Sequence, residues 1–223
     1  MSSARDTIFS NLRRSLGVKG SEAPRQSVVA DRLRQHPKGL IPARGQKSGE
    51  ELIETFKHWA EYSLGTVARL ASAAEIPGEI ARYLRDNNLP ATVRMGVDER
   101  LTALNWGETA LEVKSGPSDG HDLNGLSHAF AGVAETGTLM MVSGADNPTT
   151  LNFLPDNHMI VVNAADIAGD YEAVMARIRT QYGDGKMPRT VNMITGPSRS
   201  GDIEQTMLLG AHGPRSLHIL VIG

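Results

Sequence analysis

Three short stretches of this chain combine side chains that can hold or move a proton with backbone suited to an anion. Glu135-Thr136-Gly137-Thr138 sets a carboxylate and two hydroxyls around a glycine, directly before the apolar run Leu139-Met140-Met141-Val142. Glu135 is of the type that serves as base or nucleophile, Thr136 and Thr138 can donate to an oxyanion, and Gly137 permits a positive φ or close approach to a ligand. The same residues also read as a polar turn feeding a buried strand. The second stretch is Gly196-Pro197-Ser198-Arg199-Ser200-Gly201-Asp202-Ile203-Glu204, behind the apolar run Val191 to Thr195. A strand running into a Gly-Pro turn, then hydroxyls and an arginine, then acids that open a helix, would present backbone N–H groups to an anion. Arg199 could add a two-point contact to a carboxylate or phosphate. The plainer reading is that Ser198 or Ser200 caps the helix and Arg199 pairs with Asp202. The third is Ala211-His212-Gly213-Pro214, a histidine in a Gly-Pro loop before the last apolar run.

Composition narrows the chemistry. The chain has 223 residues and no cysteine. Disulfides, thiolate metal sites, a cysteine nucleophile and cysteine-ligated iron–sulfur clusters are thereby excluded on this chain. His121, His128 and His212, with Asp122 or Glu135, are of ligand type, but no histidine pair has the i, i+4 spacing of a helical metal motif, and no metal is expected. No cofactor is evident. His158 and His218 lie at or within apolar runs and read as structural. The start, MSSARDTIFSNLRRS, lacks the apolar core of a secretory signal, and no run approaches membrane-spanning length, so the expected location is cytoplasmic.

Net charge is −2, but unevenly spread: residues 1–60 hold 11 Lys/Arg and 6 Asp/Glu, and residues 61–223 hold 12 and 19. No aromatic stacking residues accompany the basic ones, which argues against nucleic acid and for a solvated arm that docks on an acidic body, its own or that of a second copy in a homo-oligomer.

The elements that must position these residues follow from periodicity. Ile8, Phe9, Leu12 and Leu16 mark a helix over 4–16, Ser27 is placed to cap a second through Gln35, and Ser48 with Glu51 gives a capping box for a helix over 50–62. Residues 1–62 therefore read as a helical arm with linkers, and residues 63–223 as an α/β domain. There, strands at 66–70, 91–95, 139–142, 159–163, 191–195 and 217–222 alternate with helices at 76–86 and 168–182. Leu126 to Val133 is either a small helix or a strand. Continuous apolar runs such as Ile160-Val161-Val162 fit strands buried on both sides. The expected fold is a Rossmann-like, mostly parallel sheet with helices on both faces. In such a sheet ligands bind at the carboxyl ends of the strands.

Taken in order, Ala134 to Thr138, Leu154-Pro155 before His158 to Val162, Gly196 to Glu204, Gly210 to Pro214 and the terminal run Leu217 to Val221 resemble the LUD-domain family over roughly residues 65–223. The resemblance implies a fold related to the sugar-isomerase and CoA-transferase superfamily. It also implies a bacterial role in oxidising L-lactate to pyruvate alongside iron–sulfur partner proteins, this chain being the cluster-free component of the oxidoreductase system. It assigns no catalytic step to this chain. The expected pocket joins Glu135, Thr136, Gly137 and Thr138 to Gly196, Ser198, Arg199, Ser200, Asp202 and His212. Arg199 would hold a small anionic metabolite, and Glu135 or His212 would act as acid or base. The alternatives are a stand-alone CoA-transferase-like or sugar-phosphate isomerase-like enzyme, and a purely structural assembly subunit.

Overall fold

Six parallel strands form the central sheet of the body, in the order β1-β12-β7-β4-β2-β3. The computed structural model describes residues 3–183, 185–201 and 207–223, and counts of elements refer to these. The strands are β1 (Thr66–Leu70), β2 (Thr92–Met95), β3 (Glu112–Ser115), β4 (Asn124–His128), β7 (Asn157–Asn163) and β12 (Ser216–Ile222). β5 (Ala131–Val133), β6 (Thr138–Val142), β8 (Ile167–Ala168) and β9 (Val191–Ile194) make a second, mixed sheet in the order β8-β5-β6-β9. β10 (Arg199–Gly201) and β11 (Met207–Leu209) pair as an antiparallel hairpin.

Side-chain alternation along the strands sorts the core into layers. Leu126, Met159, Val161 and Leu220 face one side of the central sheet, onto α4 (Ile76–Asp86) and Leu101 of α5 (Glu99–Thr102). Ile160, Val162, Leu217, Ile219 and Val221 face the other, onto α3 (Gly49–Tyr62) and onto Leu139 and Met141 of β6. Between those two, Met140 points the opposite way, to Val174 and Ile178 of α6 (Tyr171–Tyr182). Helices thus flank a mostly parallel sheet as expected, but one of its faces is covered partly by a second sheet. Phe56 of α3 is fully buried in the layer between the sheets; truncation to alanine there costs about 3–5 kcal/mol.

α3, which the sequence pattern places at the end of the arm, buries Ile53, Phe56 and Ala60 in this core. Two compact units divide at Leu40 and Ile41. The first holds α1 (Ala4–Leu16) and α2 (Ala23–Gln35), which bury no residue. Ser3 and Asp6 form a reciprocal capping box on α1, and Gly17 ends it at φ 65°.

Several local expectations change. α2 begins at Ala23, with Pro24 in its first turn, rather than at a Ser27 cap. Ser48 occupies the N-cap of α3 but its side chain makes no capping bond, and the Glu51 carboxylate pairs with Lys47. The Leu126 to Val133 stretch is two strands, β4 and β5. Arg199 opens a strand and not a helix: the apolar run Met207–Leu209 supplies it with an antiparallel partner. Asp202, Ile203 and Glu204 lie outside the described residues.

Candidate functional site

The carboxyl ends of β2, β4 and β7 open into a cleft of about 410 Å³. Its wall is built from residues at or just beyond the end of each strand. Arg100 stands in α5 just beyond β2, His128 is the last residue of β4, and Asp166 comes shortly after β7. The loop after β6 adds Ser143, Asp146 and Asn147, and the last turn of α6 adds Gln181 and Tyr182.

Arg100 is held in place by Asp98. The Asp98 carboxylate caps α5, accepting from the Arg100 backbone N–H at 2.9 Å. It also accepts from Arg100 Nε at 2.9 Å and Nη2 at 2.6 Å. Burial raises the pKa of Asp98, but the hydrogen bonds from Arg100 prevail and hold it below the usual carboxylate range. The guanidinium has five N–H donors, so this two-point contact leaves part of its edge for a ligand.

His128 is 5% exposed, and its Nδ1 lies 2.9 Å from the Ala129 carbonyl oxygen. A carbonyl only accepts, so Nδ1 carries the proton and Nε2 of the neutral ring is a bare acceptor. Burial is the largest force on its pKa and, with Arg100, lowers it, while Asp98 and Asp166 pull upward without prevailing. Asn147 donates Nδ2 to the Val142 carbonyl at 3.1 Å, and its buried Oδ1 has no partner among the described residues. The cleft therefore offers one cation, a neutral imidazole poised to accept, and several oxygen acceptors.

His128, named in the sequence only as a ligand-type histidine, lines the cleft, but the residues of the expected pocket fall elsewhere. Glu135 sits in the turn between β5 and β6, as expected, but is 7% exposed rather than solvated. Its Oε1 accepts from the Tyr171 N–H at 3.2 Å, at the N-terminus of α6, where a carboxylate is favoured by the helix dipole. Thr136 and Thr138 bond to one another at 2.8 Å and to the Tyr171 hydroxyl at 2.9 and 2.8 Å. Thr138 also reaches Thr195 at 2.6 Å, which brings the first two stretches together.

Gly137 and Gly196, at φ 65° and 73°, are pressed against backbone. A Cβ on Gly137 would stand 2.2 Å from the Ala60 nitrogen, and one on Gly196 2.0 Å from the Ser63 oxygen. Both turns are packed on the C-terminal end of α3. Ser198 and His212 also meet: the Ser198 N–H donates to the Pro214 carbonyl at 2.8 Å and the His212 N–H reaches Ser198 Oγ at 3.4 Å. The His212 and Arg199 side chains are exposed and Ser200 is half-buried. None of these residues lines the cleft at the ends of the central strands. The strand–turn stretch Val191 to Gly196 belongs to the second sheet, where β9 runs antiparallel to β6.

A family model for the LUD domain matches residues 123–222, from the residue before β4 to the end of β12. That segment of the chain resembles a LUD domain. The second sheet, α6 and the cleft residues His128, Asp146 and Asp166 lie inside the matched segment, while Asp98 and Arg100 lie before it. An uncharacterized protein of Neisseria meningitidis serogroup B is 39% identical over 99 residues, 44% of this chain and 41% of that protein. The chain thus spans about two fifths of that relative. A protein of an Exiguobacterium species named lactate utilization protein C is 29% identical over 186 residues, 78% of this chain and 79% of the relative. The crystal structure of a DUF162 family protein from Deinococcus radiodurans superposes with a TM-score of 0.58 at 25% identity, covering 79% of this chain and 99% of that one. That likeness supports the same fold over most of the chain.

The sequence pattern did not single out Asp98, Arg100, Asp146 or Asp166. The signal lay in the carboxyl-end rule itself: each of the strands 91–95 and 159–163 is succeeded within a few residues by an acid or an Arg-bearing turn.

Proposed function

We propose that this chain is the cluster-free component of a bacterial L-lactate utilization system and binds a small carboxylate in the cleft at the carboxyl ends of β2, β4 and β7. The observation that carries the ligand site is the pinned Arg100 guanidinium beside a neutral His128, placed where open parallel sheets bind their ligands. The relatives named lactate utilization protein C support the pathway. With no cysteine on this chain, iron–sulfur electron carriers would belong to partner proteins. The transferase alternative needs Glu135 free to attack, and its carboxylate is engaged with the N-terminus of α6.

The test is growth on L-lactate of a strain that depends on this gene. Arg100→Ala is expected to abolish growth while the purified variant stays folded, and Glu135→Gln to leave growth intact. Normal growth with Arg100→Ala would refute the ligand site, and loss of growth with a folded Glu135→Gln protein would return the chemistry to the β5–β6 turn. Co-purification of cysteine-rich proteins with the full-length chain tests the partners.

A further inference from the structure

Away from the cleft, at the amino ends of β1 and β12, a hydroxyl, an imidazole and a carboxylate stand in line. Thr66 and His218 are partners in the register of the two strands. Their side chains project to the same face as Leu70 and Leu220, toward α4. The Thr66 hydroxyl lies 2.8 Å from His218 Nδ1, and Nε2 of the same ring lies 3.2 Å from Glu79 Oε1 on α4. Burial raises the pKa of Glu79, but the hydrogen bond and charge of Arg82 prevail and hold it below the usual carboxylate range. An ionised carboxylate only accepts, so Nε2 carries the proton. Nδ1 is then a bare acceptor, and the Thr66 O–H donates to it. Arg82 Nε fixes the other oxygen of Glu79 at 2.8 Å, and the Tyr83 ring stacks on the imidazole at 4.1 Å and 9°. His218 is 3% exposed, whereas Thr66 is open to solvent.

We propose that Thr66 is an acyl-acceptor site for an activated carboxylic ester, with His218 as its general base and Glu79 as the residue that positions the base. The arrangement is that of an activated nucleophile: hydroxyl, base within hydrogen-bond reach, and a third group orienting the base. Thr66 Oγ1 attacks the ester carbonyl carbon. The Oγ1–C bond forms, the bond from that carbon to the leaving oxygen breaks, and the acyl group stays on Thr66 as an ester. The hydroxyl proton passes to His218 Nδ1 and from there to the leaving oxygen. Burial, the largest influence on the His218 pKa, lowers it and keeps the ring neutral and able to accept at neutral pH. β1 is an edge strand. The Gly223 N–H donates to the Leu70 carbonyl at 2.9 Å, so Leu70, Ala68 and Thr66 turn their backbone groups to β12. The N–H of Val67, next in the chain to the nucleophile, therefore points to the unpaired edge, where it can donate to the oxyanion that develops. The site shares no residue with the cleft and stands apart from the function proposed above.

Incubation of the full-length protein with p-nitrophenyl acetate at pH 7.5, with mass mapping of the acetylated residues over time, tests this. Thr180 is the internal reference, an exposed hydroxyl on α6 that donates to the Ala176 carbonyl at 3.0 Å. Thr66 is expected to acetylate at least about 100-fold faster than Thr180, the range a positioned general base supplies. His218→Gln, checked for an unchanged melting profile, is expected to remove that advantage. Glu79→Gln is expected to move the rate–pH profile to lower pH, because the carboxylate charge raises the His218 pKa. Acetylation of Thr66 no faster than of Thr180, or confined to lysines, would overturn the site in the wild type alone. Undiminished acetylation of Thr66 in a folded His218→Gln protein would overturn the base. A pH profile unmoved in a folded Glu79→Gln protein would overturn the positioning role.

Discussion

Glu135 Oε1 accepts a hydrogen bond from the backbone N–H of Tyr171 at 3.2 Å, tying the β5–β6 turn to the first residue of α6. The carboxylate that most invites a chemical reading is thus a fastener between two elements. Glutamine keeps the accepting oxygen, so Glu135→Gln is expected to change stability by less than about 0.5 kcal/mol. Glu135→Ala removes it and leaves a buried donor unpaired, at a cost of about 1–3 kcal/mol. Urea denaturation of both variants checks this; equal losses would show that the bond contributes nothing.

Gly137 and Gly196 fix how closely the two turns approach α3. Both carry positive φ, and a Cβ on either would overlap backbone of residues 60 or 63. Gly137→Ala and Gly196→Ala are each expected to lose about 3 kcal/mol or more, because backbone on both sides must shift. Gly49 has φ 56° with nothing within 4 Å of a Cβ, so Gly49→Ala carries the strain alone, about 1–2 kcal/mol. Melting temperatures of the three variants should separate in that order.

Asp98 supports the site from behind, as both cap and clamp. Asp98→Ala is expected to cost about 1–2 kcal/mol from the cap, with Asp98→Asn losing less because its oxygen still accepts from Arg100 N–H. The folded carboxyl has a pKa below its unfolded value. Its contribution is therefore fully present above the ordinary aspartate range, near pH ~4, and is lost as pH falls through the lower folded value. Denaturation midpoints measured from pH 6 to pH 3 for wild type and Asp98→Asn should converge at the acid end.

Three buried histidines set a second, higher acid limit. His158 is 1% exposed with a pKa lowered to about 3 by burial, and His128 and His218 are also lowered, burial being the largest cause in each. The unfolded chain takes up protons near pH ~6.5 that the folded one refuses, so stability falls as pH drops below that point, by about 1.4 kcal/mol per pH unit for each fully titrating residue. His158 makes the steepest case: its Nε2 lies 3.0 Å from Ser127 Oγ, and Nδ1 has no partner among the described residues. Unfolding free energies of wild type and His158→Gln between pH 7 and pH 4 should diverge, the variant showing the shallower slope.

Much of the architecture was legible because apolar runs such as Ile160-Val161-Val162 have no other home than a doubly covered strand. What periodicity could not carry was which sheet a strand joins. Val191–Ile194 reads like a central strand, yet β9 pairs antiparallel with β6 outside the parallel sheet. Applying the carboxyl-end rule to it pointed to Ser198 and Arg199, and the same rule applied to β2, β4 and β7 leads to Arg100, His128 and Asp166. The hairpin of β10 and β11 was hidden for a related reason: Ser198, Arg199 and Asp202 carry helix-start chemistry, and only the partner strand Met207–Leu209 decides against it. Glu135 was placed correctly in a turn between strands, but its burial depends on α6 arriving from 36 residues away.

The most direct measurement is a crystal structure of the full-length protein grown with saturating L-lactate. The account predicts the ligand in the cleft between α5, the end of β4 and the loop after β6, with its carboxylate on Arg100. L-lactate bound instead at the Glu135 turn or at the Ser198–His212 loop, with the cleft free of it, would contradict the account.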